Sequence, residues 1–152
     1  MGVVTDFPVI DIGIFIIANL FNLLLIGIFL SRPISMAKVE RVCGLISVSM
    51  ILPLAAAVIL NLTGKREWWT VVLPSVLILF LAVELVFDYI LKWNFRKTRW
   101  LWPYLLLFYA ALMAMIGYSF LIGKTFGFVT LGTYFLNLLA TWYSYAKVGH
   151  GQ

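Results

Sequence analysis

The charged residues of this chain fall in short clusters, and the stretches between them are uncharged, overwhelmingly apolar and each about as long as a lipid bilayer is thick. Asp11 is followed by no charge until Arg32, Arg41 by none until Lys65, Glu67 by none until Glu84, Arg99 by none until Lys124, and Lys124 by none until Lys147. A helix rises about 1.5 Å per residue and needs roughly 20 apolar residues to cross the hydrocarbon core. The pattern predicts an all-α, polytopic integral membrane protein with five transmembrane helices, at about residues 9–31, 39–62, 69–91, 101–122 and 126–146. These helices are expected to form a single helical-bundle domain over residues 1–152. The loops are too short to hold a separate domain in water, so the protein must act in or at the membrane. Composition points the same way: the chain is 64% hydrophobic and 11% charged, where a soluble domain carries about 25% charged residues.

Local chemistry sets the expected helix ends. Arg32-Pro33 closes the first helix, because the residue before proline is pushed out of the helical region. Asn61-Leu62-Thr63-Gly64 closes the second, and Gly123 to Gly127 is expected to form the turn before the fifth. Pro103 fits the first turn of the fourth helix, where its missing N–H is not needed. Pro53 and Pro74 fall inside spans, and each predicts a kink whose freed carbonyl must find another partner. All six tryptophans fall at expected span ends, where amphipathic rings prefer to sit.

Orientation follows from the basic residues. Arg32, Lys38, Arg41, Lys92, Arg96, Lys97, Arg99 and Lys147 lie on one side of the expected bundle, and Lys65, Arg66 and Lys124 on the other. Short loops rich in Lys and Arg stay cytoplasmic, which predicts an outside N-terminus and a cytoplasmic C-terminus. The N-terminal stretch has no basic region, and the apolar run after it reaches Leu30, too long for a signal-peptide core. Myristoylation would require Ser or Thr where Asp6 stands. The lack of targeting features points to a prokaryotic plasma (inner) membrane.

The formal net charge is +5, but the basic residues anchor span ends and form no basic face interleaved with aromatics, so no nucleic-acid partner is expected. The lone Cys43 reads as a small buried hydrophobe. The only histidine, His150, stands in the C-terminal tail, so no His-based nucleophile, haem ligation or zinc site can be assembled within the membrane. No metal and no cofactor are expected.

The informative polar group is Glu84. On a helix over 69–91 it lies inside the membrane, where a carboxylate is costly unless paired, protonated or wet. Asp88, Lys92 and Arg96 continue the same helical stripe at i+4, i+8 and i+12, with Asp88 placed to pair with Lys92. Partners for Glu84 are expected from other helices at similar depth: Asn22, Ser47, Tyr109, Asn137 and Thr141. The fifth helix carries a polar face of Gly127, Thr130, Tyr134, Asn137, Thr141 and Ser144, and the first a shorter one of Asp11, Ala18 and Asn22. Asp11 is a second intramembrane acid.

Three functions fit these groups. The leading one is binding or passage of a small solute, ion or proton at a site made by Glu84, Asn22, Ser47, Tyr109, Asn137 and Thr141. The alternative is a non-catalytic structural or lipid-binding subunit of a larger membrane complex, in which the polar groups only hydrogen-bond across helices. The third is a lipid-modifying enzyme using Glu84 and Asp88, but no companion motif completes such a site, and no catalytic residue is assigned. Expected partners are membrane lipids, anionic ones at the cytoplasmic face meeting Lys92, Arg96, Lys97 and Arg99, and a second copy or a membrane complex, since so few helices seldom enclose a pathway alone.

Overall fold

A computed structural model describes residues 8–148, all helices and short turns. The acidic N-terminal stretch with Asp6 and the tail with His150 lie outside the described residues. The elements are α1 (Pro8–Ser31), α2 (Ala37–Ser49), α3 (Ile51–Thr63), α4 (Trp69–Glu84), a π-helical turn (Leu85–Ile90), a 3₁₀ turn (Phe95–Lys97), α5 (Leu101–Ile122) and α6 (Lys124–Val148). Four helical stretches are long and apolar enough to cross a membrane: Val9–Ser31, Ala37–Thr63, Trp69–Ile90 and Leu101–Ile122. The protein is an integral membrane protein.

The fifth stretch, α6, is 25 residues long but more polar. Its polar face is buried and its outward face carries Phe128, Val129, Phe135, Leu136, Leu139 and Trp142. α6 runs parallel to α1 along most of its length, with Phe15 against Phe126, Asn19 against Thr130, Asn22 against Thr133, and Phe29 against Tyr145. The helices close a ring: α1 meets α2, α3 meets α4, α4 meets α5, α5 meets α6, and α6 returns to α1. Phe21, Leu54, Leu77, Phe80, Leu81 and Leu112 fill the interior.

The two internal prolines act differently. The second span breaks at Met50, three residues before Pro53, so that Ala37–Thr63 is two helices meeting at a bend. Pro53 has no N–H for the Ser49 carbonyl, and the chain yields there. Pro74 stays inside α4. Its missing N–H frees the Thr70 carbonyl, which accepts a hydrogen bond from Asn61 Nδ2 at 2.9 Å. The displaced bond is thus replaced from the neighbouring helix, as an environment without water requires.

Helix ends carry further detail. Ser35 and Lys65 adopt left-handed backbone, with φ of 57° and 52°. Met36 N–H then reaches the Ser31 carbonyl and Arg66 N–H the Asn61 carbonyl, a Schellman closure without glycine at the left-handed position. The third span ends by widening into the π turn and then reversing at Lys92, φ 48°. This corrects the expected stripe: Lys92 has left the helix, and Arg96 sits on the 3₁₀ turn and not on the next helical turn. The expected turn over Gly123 to Gly127 is also tighter than the sequence suggests. Only Gly123 interrupts the helices, and Gly127 N–H already bonds the Gly123 carbonyl at 3.0 Å.

Candidate functional site

Three polar assemblies lie within the bundle. The first, at the end bearing Arg66, is a closed ion pair. Arg66 grips both oxygens of Asp11 at 2.8 Å each and donates to Asn61 Oδ1 at 2.9 Å. Tyr118 donates its hydroxyl to Asp11 Oδ1 at 2.6 Å. Asn61 and Tyr118 are fully enclosed. The bonds to Asp11 hold the Arg66 guanidinium above the ordinary arginine value, against the opposing effect of burial. Such a pair ties α1, α3, the α3–α4 turn and α5 together, and every strong group in it is satisfied. The sequence marks Asp11 as an intramembrane acid but places Arg66 only among the basic residues between spans, because the two stand 55 positions apart.

The second assembly is a seam between α1 and α6. Thr130 donates to Ser119 at 2.8 Å and accepts from Asn19 at 3.1 Å. Thr133 donates to Asn19 Oδ1 at 2.9 Å and accepts from Asn22 Nδ2 at 2.9 Å. Farther along α6, Thr141 bonds the Asn137 carbonyl at 2.8 Å. Of the face expected on the first helix, Asn22 lies in this seam while Asp11 is engaged by Arg66; of that expected on the fifth, Thr130 lies in the seam, and the whole face is buried away from lipid. Asn19 and Thr133, which join the two helices, were not singled out from the sequence, although Asn19 stands one turn before Asn22 on the same helix.

The third assembly, at the end bearing Arg32, surrounds Glu84. A cavity of about 60 Å³ is walled by Leu25, Ile28 and Phe29 of α1, Phe80 of α4, Leu101, Tyr104, Leu105 and Phe108 of α5, and Tyr145 of α6, with Glu84, Arg32 and Arg96 as its charged groups. By the volume a confined water needs, this is room for about four water molecules. Among the described residues no hydrogen bond or ion pair reaches Glu84, which is half-buried and lines the cavity.

The two arginines differ in their engagement. Arg96 grips Asp88 with two bonds, of 3.0 and 2.7 Å, and stacks its guanidinium over Phe95 at 4.9 Å. Burial lowers the proton affinity of Arg96, but the bonds and charge of Asp88 outweigh it, so the guanidinium is held above its ordinary value. Arg32 donates only Nε, to Glu40 at 2.9 Å, and lies over Phe29 at 5.1 Å; its two Nη groups make no hydrogen bond among the described residues. Arg32 also lines a cleft of about 400 Å³ formed with Ser31, Ser35, Glu40 and Lys147 at the same end of the bundle.

The aromatic cluster around Phe95 explains the position of Arg96. Phe95 is fully buried, with Phe87, Trp93 and Tyr104 rings at centroid distances of 5.1, 6.4 and 4.7 Å. Anchoring Phe95 swings the next residue inward, and Asp88 on the π turn receives it. Two expectations are corrected here. Asp88 pairs with Arg96 and not with Lys92, and Arg96 turns into the bundle while Lys92, Lys97 and Arg99 remain exposed as a headgroup-facing cluster would be.

Of the groups expected beside Glu84, none lines its cavity. Asn22 belongs to the α1–α6 seam, while Asn137 and Thr141 are buried on α6, where Thr141 donates to the Asn137 carbonyl. Ser47 bonds back to the Cys43 carbonyl of its own helix at 2.9 Å, and Tyr109 packs its ring against Phe108. Among the described residues no group of three or more His, Cys, Asp or Glu side chains is placed to hold a metal ion. No protein-family model, curated protein or solved structure matches this chain.

Proposed function

We propose that this integral membrane protein binds, and passes through its bundle, a small polar solute or ion in the cavity faced by Glu84. The observation that carries this reading is an acid without a hydrogen-bond partner among the described residues, placed on a cavity between four helices. A carboxylate removed from water is costly unless it is paired, protonated or solvated. Asp11 and Asp88 are each paired by arginine. Glu40, the remaining acid of the spans, is paired with Arg32, so Glu84 alone among the described acids of the spans has no arginine partner, and it lines the cavity. Arg32 lines both the cavity and the cleft beside it, so a route from the bundle end to Glu84 passes that side chain.

Thiol accessibility tests the reading. In a Cys43→Ser background, Leu105→Cys introduces a thiol on the cavity wall, and Leu106→Cys one on the lipid-facing surface, where Leu106 is 74% exposed. In proteoliposomes, methanethiosulfonate ethylammonium, a small water-soluble cation, is expected to modify the first and spare the second. Glu84→Gln should slow the first reaction by removing the acid that attracts the reagent. Equal reactivity at the two positions overturns the proposal.

A further inference from the structure

The charged groups that the cavity leaves unsatisfied are of opposite sign, and this identifies the kind of solute it fits. Among the described residues, Glu84 offers a carboxylate with no hydrogen bond, and Arg32 offers two Nη groups with none, Nε alone being committed to Glu40. Arg96 and Asp88 form a closed pair and add no free charge. A lone cation would satisfy Glu84 but leave the Arg32 Nη groups without an acceptor, since Glu40 meets only Nε. A lone anion would engage the guanidinium fork and be repelled by Glu84. One small molecule carrying both charges meets both groups, while the walls between them, Leu25, Phe80, Leu105 and Phe108 among others, are apolar and suit a short hydrocarbon side chain.

Resting on the solute-binding reading above, we infer that the cavity is a site for a small zwitterion of the α-amino acid class, with its ammonium on Glu84 and its carboxylate on the Arg32 fork. A planar guanidinium matches a carboxylate with two parallel hydrogen bonds, which a point-charge ammonium cannot do. Room for about four water molecules suits a guest near alanine in bulk. Entry from the adjoining cleft would bring the solute past Arg32 first, with Lys147 and Glu40 at the cleft wall.

The test is equilibrium binding to the purified full-length protein in detergent, using four probes of similar size: alanine, ethylamine, propionate and propionamide. Alanine is expected to bind at least tenfold more tightly than any of the other three. Arg32→Gln should erase the advantage of alanine over ethylamine, and Glu84→Gln its advantage over propionate. Arg32→Lys, which keeps the charge that meets Glu40 but lacks the fork, should leave an intermediate preference, and its melting temperature guards against a folding defect.

Ethylamine binding as tightly as alanine, with both lost in Glu84→Gln, sinks the zwitterion and leaves the cavity reading standing. So does the absence of binding by all four probes when Leu105→Cys is modified as described. Absence of binding together with equal thiol reactivity at the two leucine positions overturns both.

Discussion

At the scale of single residues, the most instructive partnership joins Pro74, Thr70 and Asn61. Proline removes one bond from α4, and the carboxamide of Asn61 replaces it while its oxygen steadies Arg66. Asn61→Leu is expected to destabilise the protein by about 1–3 kcal/mol, the usual cost of leaving a buried acceptor unpaired. In a Pro74→Ala background the restored N–H supplies Thr70, and the same change should cost less. Denaturation in mixed micelles reads both. The Asp11–Arg66 pair gives a second cycle: removing one partner should cost about 3–5 kcal/mol, and replacing both by leucine less than the sum, because neither charge is then stranded. The sequence made the need at Pro74 legible, but not the partner that meets it, since Asn61 also reads as part of a helix end. Glu84 stood out because acids are rare inside a span. Its surroundings were not legible: depth along a helix follows from residue count, whereas the direction in which Asn22 or Tyr109 faces depends on how each helix is rotated against its neighbours.

At the scale of elements, all five helical stretches were legible to within two residues at both ends, because charge clusters, Pro33, Gly64 and Pro103 mark them in the chain. What escaped were local departures from regular helix. The break at Met50 falls just before a proline that interrupts its helix where Pro74 does not, and the π turn over Leu85–Ile90 carries Phe87, whose ring packs on the buried Phe95 well beyond it. Neither has a periodic signature. The α5–α6 contact is close for a related reason: the Phe120 ring lies directly over Gly127, in the space a Cβ would need. Gly127→Ala should therefore cost about 1–3 kcal/mol. Phe120→Ala in the same chain should recover part of that loss, and a thermal-stability series in detergent measures both. An unchanged melting temperature in Gly127→Ala would mean that the ring is free to move aside.

At the scale of the whole molecule, the ring of helices returns the last to the first. Pairs from Phe15–Phe126 to Phe29–Tyr145 keep α6 alongside α1, the arrangement that a fifth crossing would give. Membrane-impermeant labelling of tags at the two termini is therefore expected to reach them from opposite faces; labelling of both from one face would refute five crossings. The same closure bears on biosynthesis. Asn19 and Asn22 enter the bilayer with α1, yet the threonines that bond them, Thr130 and Thr133, are translated more than a hundred residues later. Until then those carboxamides have no seam to join, and a nascent chain lacking its last helix should be held by insertion factors or removed by quality-control proteases before it matures.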